Sequence, residues 1–162
     1  MPNIPSVDLN NFLSDDQSLK QEFVNKLGKA YQDIGFVALK GHFLKDSDIE
    51  NIYKYIKVFF DLPEEIKSKY ELDGFAGQRG YTSFGKEHAK GKKHGDLKEF
   101  WHFGQYLHDS EYSKLGYPKN LIVDEVPEFN EIGKTVYQSL EKTAIYVLRA
   151  ISLFLDLEED HF

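Results

Sequence analysis

An α+β fold is predicted by three features of the sequence. Apolar residues recur at helical spacing over 19–34 and 49–60, aromatic strand-like runs occupy 81–84 and 100–106, and a long helical pattern begins at Glu128. Ile4-Pro5-Ser6-Val7-Asp8-Leu9 reads as a short extended segment, its proline suited to an edge or a strand start. Ser18 and Gln21 have the spacing of a capping box, and Leu19, Phe23, Leu27, Ala30, Tyr31 and Ile34 form one apolar face. Gly35 is placed just past that helix's end. Phe36 to Gly41 reads as a brief strand. Ser47 and Glu50 suggest a second box, opening a helix with the face Ile49, Ile52, Tyr53, Ile56 and Phe59 or Phe60. Pro63 suits the first turn of a short third helix, and Glu64 and Glu65 complement its dipole.

Gly74, Gly77 and Gly80 break the chain into a loop before the strands Tyr81 to Phe84 and Phe100 to Tyr106. Residues 112–126, with Pro118 and then Pro127, read as irregular. The closing helix carries Phe129, Ile132, Val136, Leu140, Ala144, Val147, Ile151 and Leu155 on one face and runs for roughly 40 Å. Few strands are available to cover so broad an apolar face, which normally backs a sheet.

The 162 residues suffice for one domain with a sizeable core, and 1–162 are read as one. A formal net charge of −7 argues against nucleic-acid and anionic membrane partners. The absence of cysteine excludes disulfides, thiolate metal sites and cysteine nucleophiles. The N-terminus shows no signal-peptide pattern, and the longest apolar run, 144–155, is too short and too charged to span a bilayer. A cytoplasmic location is the expectation.

Four groups of residues carry a family resemblance. They are Asp33-Ile34-Gly35-Phe36-Val37 leading to Gly41-His42; Phe60-Asp61-Leu62-Pro63-Glu64-Glu65 with Lys67; Gly80-Tyr81; and Asp96-Leu97-Lys98-Glu99-Phe100. In order and spacing they resemble the N-terminal region of the non-haem Fe(II)/2-oxoglutarate-dependent dioxygenases of the isopenicillin N synthase-like group. The likeness covers about residues 4–162 and departs at Lys40-Gly41-His42, where the family usually has Asn-His-Gly.

The resemblance implies a double-stranded β-helix, or jelly-roll, that follows the long helix. It would hold iron on a His-x-Asp pair and a distal His, with 2-oxoglutarate on an Arg-x-Ser. Two imidazoles and a carboxylate leave open positions on Fe(II) for the oxo acid and dioxygen. Nothing of that half is found within these residues. The expectation is an N-terminal module of an oxidoreductase, with Fe(II) and 2-oxoglutarate in the complete enzyme and none bound by this chain alone, which would be inactive.

A decoy triad is present in His94, Asp96 and His161. It is rejected because His94 lies among Lys90, Lys92 and Lys93, because no strand anchors His161, and because Asp96 belongs to the Asp-x-Lys-Glu element. The stretch around His94 reads as a solvated hairpin. By the same resemblance, Arg79, just before Gly80-Tyr81, is a candidate anchor for a substrate carboxylate; a guanidinium fork suits that group. A surface arginine paired with an acidic neighbour is the alternative. Tyr81, Phe84, Phe100 and His102 are candidate pocket walls, or equally core aromatics; His102 is otherwise a hydrogen-bonded, half-buried histidine. The expected partner is a small-molecule substrate of the complete enzyme. Two further readings are a non-catalytic interaction module that associates through the long helix or an open sheet edge, and a self-contained small-ligand binder.

Overall fold

The computed structural model describes residues 3–88, 91 and 95–162. The fold mixes helices with short strands, as the sequence predicts, and divides into two compact units. One comprises Met1–Lys45 and Ser139–Phe162, the other Asp46–Gln138.

In the first unit, strand β1 (Ser6–Asp8) pairs in parallel with β2 (Ala38–Lys40), in the register Val7↔Leu39. Helix α1 (Leu9–Leu13) follows β1 at once, because Asp8 accepts the Asn10 amide at 3.0 Å and caps it. Helix α2 (Gln17–Asp33) is capped by Asp16, not by a box on Ser18. The Asp16 carboxylate takes the Ser18 amide at 2.8 Å and the Ser18 hydroxyl at 2.6 Å, and these bonds hold it below the usual carboxylate range. Gly35 (φ +80) ends the helix by donating to the carbonyls of Ala30 and Tyr31. The core gathers Val7, Leu9, Phe12, Phe23, Val24, Leu27 and Ala150. Gly28 leaves room for the Phe154 ring, which any β-carbon there would overlap.

In the second unit, helix α3 (Asp46–Phe60) begins one residue before Ser47, so the predicted second box does not form its start. Tyr53 is exposed, and Tyr55 packs toward the core in its place. The carbonyl of Pro63 takes the first amide bonds of helix α4 (Glu64–Lys67), which tightens into a 3₁₀ turn over Ser68–Tyr70. Strands β3 (Gly80–Thr82) and β4 (Phe100–His102) pair antiparallel, with Tyr81 opposite Trp101 and Thr82 opposite Phe100. Beyond them the Gly85 amide donates to the Asp96 carbonyl at 3.0 Å, and the Asp96 amide to the Glu87 carbonyl at 2.7 Å. These bonds join the flanks of the connection between β3 and β4; the stretch around His94, read as a solvated hairpin, lies outside the described residues.

Residues 112–126, read as irregular, overlap helix α5 (Asp109–Leu115). Glu111 accepts the His108 amide at its start, and Gly116 (φ +68) stops it. Residues 117–126 have neither helix nor strand, and two asparagines supply their anchors. Asn120 bonds both the N–H and the C=O of Gly104, and Asn130 does the same for Val123.

Helix α6 (Pro127–Phe154) supplies Phe129 to the core of the second unit and Ala150 to that of the first. Its predicted apolar face is only partly covered. Leu140 and Leu155 are 51% and 52% exposed, with Ile145 at 51% and Leu148 at 42% beside them. Among the described residues, no helix is long and apolar enough to cross a membrane.

The second core stacks Phe59 on Phe129 with centroids 5.1 Å apart and sets Trp101, Tyr70 and Tyr81 edge-on around Phe59. At its margin lies a buried charge cluster. Lys67 is 5% exposed, and its ammonium meets Glu99 at 2.7 Å, Glu64 at 3.5 Å and the Phe60 carbonyl at 3.4 Å. The Tyr81 hydroxyl donates to the same Glu99 oxygen at 2.5 Å. Desolvation pulls the Lys67 pKa down, but the Glu99 bond and the two carboxylate charges outweigh it and leave the pKa raised. Burial, then the Glu99 bond, pushes the Tyr81 phenol far above its usual range.

Breaking a buried pair from one side leaves the other charge unpaired. Lys67→Met and Glu99→Gln are each expected to cost about 3 kcal/mol. The double substitution is expected to cost less than the sum of the two, by more than about 1 kcal/mol in a double-mutant cycle from urea unfolding. Alkaline pH gives a second check. Lys67 and Tyr81 have folded pKa values above their unfolded ones, so their contribution is complete below about pH 10 and is lost as pH rises further. In a phenolate absorbance titration of the ten tyrosines, Tyr81 is expected to ionise only with unfolding, and Tyr81→Phe is expected to reduce the late step by one phenol, since burial also raises Tyr70 and Tyr106.

Candidate functional site

The β3–β4 hairpin sorts its side chains by strand parity. Tyr81 and Trp101 turn to the aromatic core with Phe103 behind them, while Thr82, Phe100 and His102 share the opposite face. Tyr81 is thus a core aromatic, and its hydroxyl is committed to Glu99. Thr82, absent from the candidates named by residue type, is the residue that parity puts beside Phe100 and His102. Its hydroxyl is buried and has no hydrogen-bond partner among the described residues. A strict period-two reading of residues 80–84 finds it.

His102 is exposed rather than half-buried. Its Nδ1 lies 2.5 Å from the Gly77 carbonyl, and its ring lies 4.8 Å from that of Phe100. A carbonyl only accepts, so Nδ1 carries the proton and a neutral ring leaves Nε2 as acceptor. That bond ties the loop before β3 to β4. Gly77 (φ +71) has no room for a β-carbon, since Thr82 Oγ1 stands 2.6 Å from where one would be. Phe84, beyond β3, is exposed.

Loop and hairpin border an open cavity of about 400 Å³ lined by Glu71, Asp73, Gly77, Tyr81, Thr82 and Lys86, which Phe100 and His102 do not line. Glu71 accepts the Ser83 amide at 3.1 Å and pairs closely with Lys86. Desolvation raises the Glu71 pKa, and the Lys86 and Ser83 bonds reverse that into a net lowering.

Arg79 stands next to this loop, and its surroundings are unusual for an arginine. Nη1 donates to the Gln78 carbonyl at 2.7 Å, Nε is buried with no hydrogen-bond partner, and no carboxylate pairs with it among the described residues. The guanidinium lies against the α-carbon of Gly104. Among the described residues, the surface ion pair that the sequence left open as an alternative is not found. The arrangement is a fixed planar cation with donors to spare, which suits a planar anion.

The described residues do not form a donor set for Fe(II). No group of three His, Asp or Glu side chains converges among them. Of the decoy triad, His94 lies outside the described residues, Asp96 is 3.7 Å from Lys98, and the His161 ring packs on Phe162. Glu64 and Glu99, at the margin of the second core, are engaged by Lys67.

The family described as non-haem dioxygenase in morphine synthesis, N-terminal, matches residues 4–125. Leucoanthocyanidin dioxygenase of Malus domestica is 30% identical over 98% of this chain and 42% of its own length. 1-Aminocyclopropane-1-carboxylate oxidase of Dictyostelium mucoroides is 28% identical over 98% of this chain and 44% of its own. Among solved structures, a 2OG-Fe(II) oxygenase family protein from Caulobacter crescentus superposes with a TM-score of 0.83 at 34% identity, over 100% of this chain and 52% of its own. A full-length Neurospora crassa protein solved in complex with alpha-KG shares the fold at 24% identity and a TM-score of 0.76, over 98% of this chain and 46% of its own. The chain therefore spans about half the length of the relatives it matches. On its motifs, its fold and these matches, it belongs to the non-haem Fe(II)/2-oxoglutarate-dependent dioxygenase family, as that family's N-terminal region.

Proposed function

We propose that this chain, read as the single domain 1–162, is the N-terminal module of an Fe(II)/2-oxoglutarate-dependent oxidoreductase acting on a small molecule that bears a carboxylate. The face carrying Phe100 and His102, with Phe84 beyond it, walls one side of the substrate cavity, and Arg79 anchors the carboxylate. Tyr81 contributes from behind, through Glu99 and the core. The metal ligands and the 2-oxoglutarate site belong to a jelly-roll outside these residues. The observation that carries this reading is Arg79 itself: a guanidinium held in place, with no acidic partner among the described residues and with unspent donors.

The uncovered stripe of helix α6 supports the jelly-roll part of the reading. Leu140, Ile145, Leu148 and Leu155 offer apolar surface of the kind that a sheet covers, and the matched relatives extend over about twice this length.

Arg79 is tested in the longer protein, with a set of carboxylate substrates and their amides. Arg79→Gln is expected to raise KM for the carboxylates about 100-fold while kcat changes little, as for lost uniform binding. Equal loss on the amides would remove the anchor role. The stripe is tested by Leu148→Glu. In this chain the substitution is expected to shift stability by less than about 0.5 kcal/mol, as for an exposed site. In the longer protein it is expected to lower Tm by several degrees, since it buries an unpaired charge. An unchanged Tm there would mean that the jelly-roll does not rest on this face.

A further inference from the structure

We propose that Asn120 is a positioning residue for Arg79 and acts through the peptide of Gly104. The consequence for ligand binding rests on the reading of Arg79 as a carboxylate anchor, but the geometry stands without it.

Gly104 follows β4 and is buried. Its amide donates to Asn120 Oδ1 at 2.6 Å, and its carbonyl accepts from Asn120 Nδ2 at 2.9 Å. A carboxamide offers an acceptor and donors side by side, so one side chain satisfies both backbone groups of one residue. Aspartate could take only the first bond. Tyr112 fixes the next stretch, its hydroxyl donating to the Gln105 carbonyl at 2.8 Å and accepting the Leu107 amide at 3.1 Å. Residues 104–107 are thereby held without belonging to the hairpin.

The α-carbon face of that clamped glycine is where the Arg79 guanidinium lies. A β-carbon built at Gly104 would fall on its Cζ, Nε and Nη2. Among the described residues, the hydrogen bond that the Arg79 side chain makes is a local one, to the neighbouring Gln78 carbonyl. A long side chain held only by a local bond loses little by swinging away, and its rotamer entropy favours doing so. What keeps the fork in one orientation is the flat floor beneath it. That floor is flat because residue 104 is glycine, and it stays in place because Asn120 holds the peptide. Chain connectivity does not bring these two residues together, since Asn120 lies 16 positions away.

The chain contains only two arginines, Arg79 and Arg149. Their Nε–H resonances can therefore be assigned with Arg149→Lys, and exchange of each with water can be followed in the ¹⁵N-labelled chain. Arg79 Nε–H is expected to be protected in the wild type and to exchange about tenfold faster in Asn120→Ala, with Asn120→Asp in between. Asn130→Ala is the control: it breaks the equivalent pair of bonds to Val123, both 2.9 Å, and is expected to lower Tm comparably without touching the Arg79 signal. Gly104→Ala is the second variant. It leaves the asparagine clamp in place and is expected to displace the guanidinium and expose its Nε–H. Protection that survives Asn120→Ala and Gly104→Ala, that falls equally in Asn130→Ala, or that is missing in the wild type would overturn the proposal. Titration with acetate separates the two readings. A shift of the Arg79 resonance in the wild type that weakens in Asn120→Ala supports both. No shift at all, with protection lost in Asn120→Ala, leaves the positioning role standing and removes the carboxylate anchor.

Discussion

The ion pair between Lys67 and Glu99 is the constraint on which the Asp46–Gln138 unit depends. It joins the end of α4 to the start of β4, two segments 32 positions apart, at a point where neither charge reaches much water. Such a pair gains little over apolar packing in free energy, but it is strict about geometry. Lys67 must face Glu99, Tyr81 must stand close enough to share its oxygen, and the Phe60 carbonyl must turn toward the ammonium. Two of the sequence groups that carry the family likeness, the Pro-Glu-Glu-x-Lys segment and the Asp-x-Lys-Glu segment, are therefore halves of one contact. Their joint presence has a physical cause: each supplies the charge that makes the other tolerable in the interior.

The pair also fixes which face of the hairpin is which. With Tyr81 drawn to Glu99, alternation sends Thr82 the other way, and the antiparallel register carries Phe100 and His102 with it. Which side chains the hairpin turns away from the core is a consequence of what the core face must satisfy. The loop ahead of β3 is then set from two directions, by the His102 bond to Gly77 and by the closeness of Thr82 to the same glycine. Core electrostatics and site geometry are thus one problem in this unit.

Much of this is legible in the sequence. The alternation of helices and strands, the ends of α2 and α6, and the hairpin follow from periodicity, Gly35 and the aromatic runs. Where sequence and structure part, the cause is shared: a local pattern loses to a competitor beside it. Ser18 has the spacing of a capping box, yet Asp16 two positions earlier is the better acceptor and takes even the Ser18 hydroxyl. Helices α1 and α5 are 5 and 7 residues long, too short to show a period, and exist because of Asp8, Glu111 and the burial of Phe12 and Tyr112. Tyr81 is an aromatic that residue type leaves open between pocket wall and core, and strand parity turns its ring to the core. The floor under Arg79 is not legible at all, because nothing in the sequence around Asn120 points to Gly104.

The exposed stripe of α6 is the other place where pattern and packing diverge. The sequence shows a helix apolar around much of its circumference. In the Met1–Lys45 and Ser139–Phe162 unit, Tyr146, Val147, Ala150, Ile151 and Phe154 belong to the core cluster, while Leu148 and Leu155 do not. A helix that needed only its own unit would carry polar residues at those positions, since each large aliphatic left in water forgoes about 1.5–3 kcal/mol available from burial. The composition of that face is therefore information about a second surface, in the same way that the unspent donors of Arg79 are information about an anion. Both features are costs in this chain taken alone. Both become gains if a sheet covers the helix and a carboxylate meets the guanidinium, which is why we read the chain as the part of an oxygenase that shapes its cavity and leaves the redox chemistry to the rest.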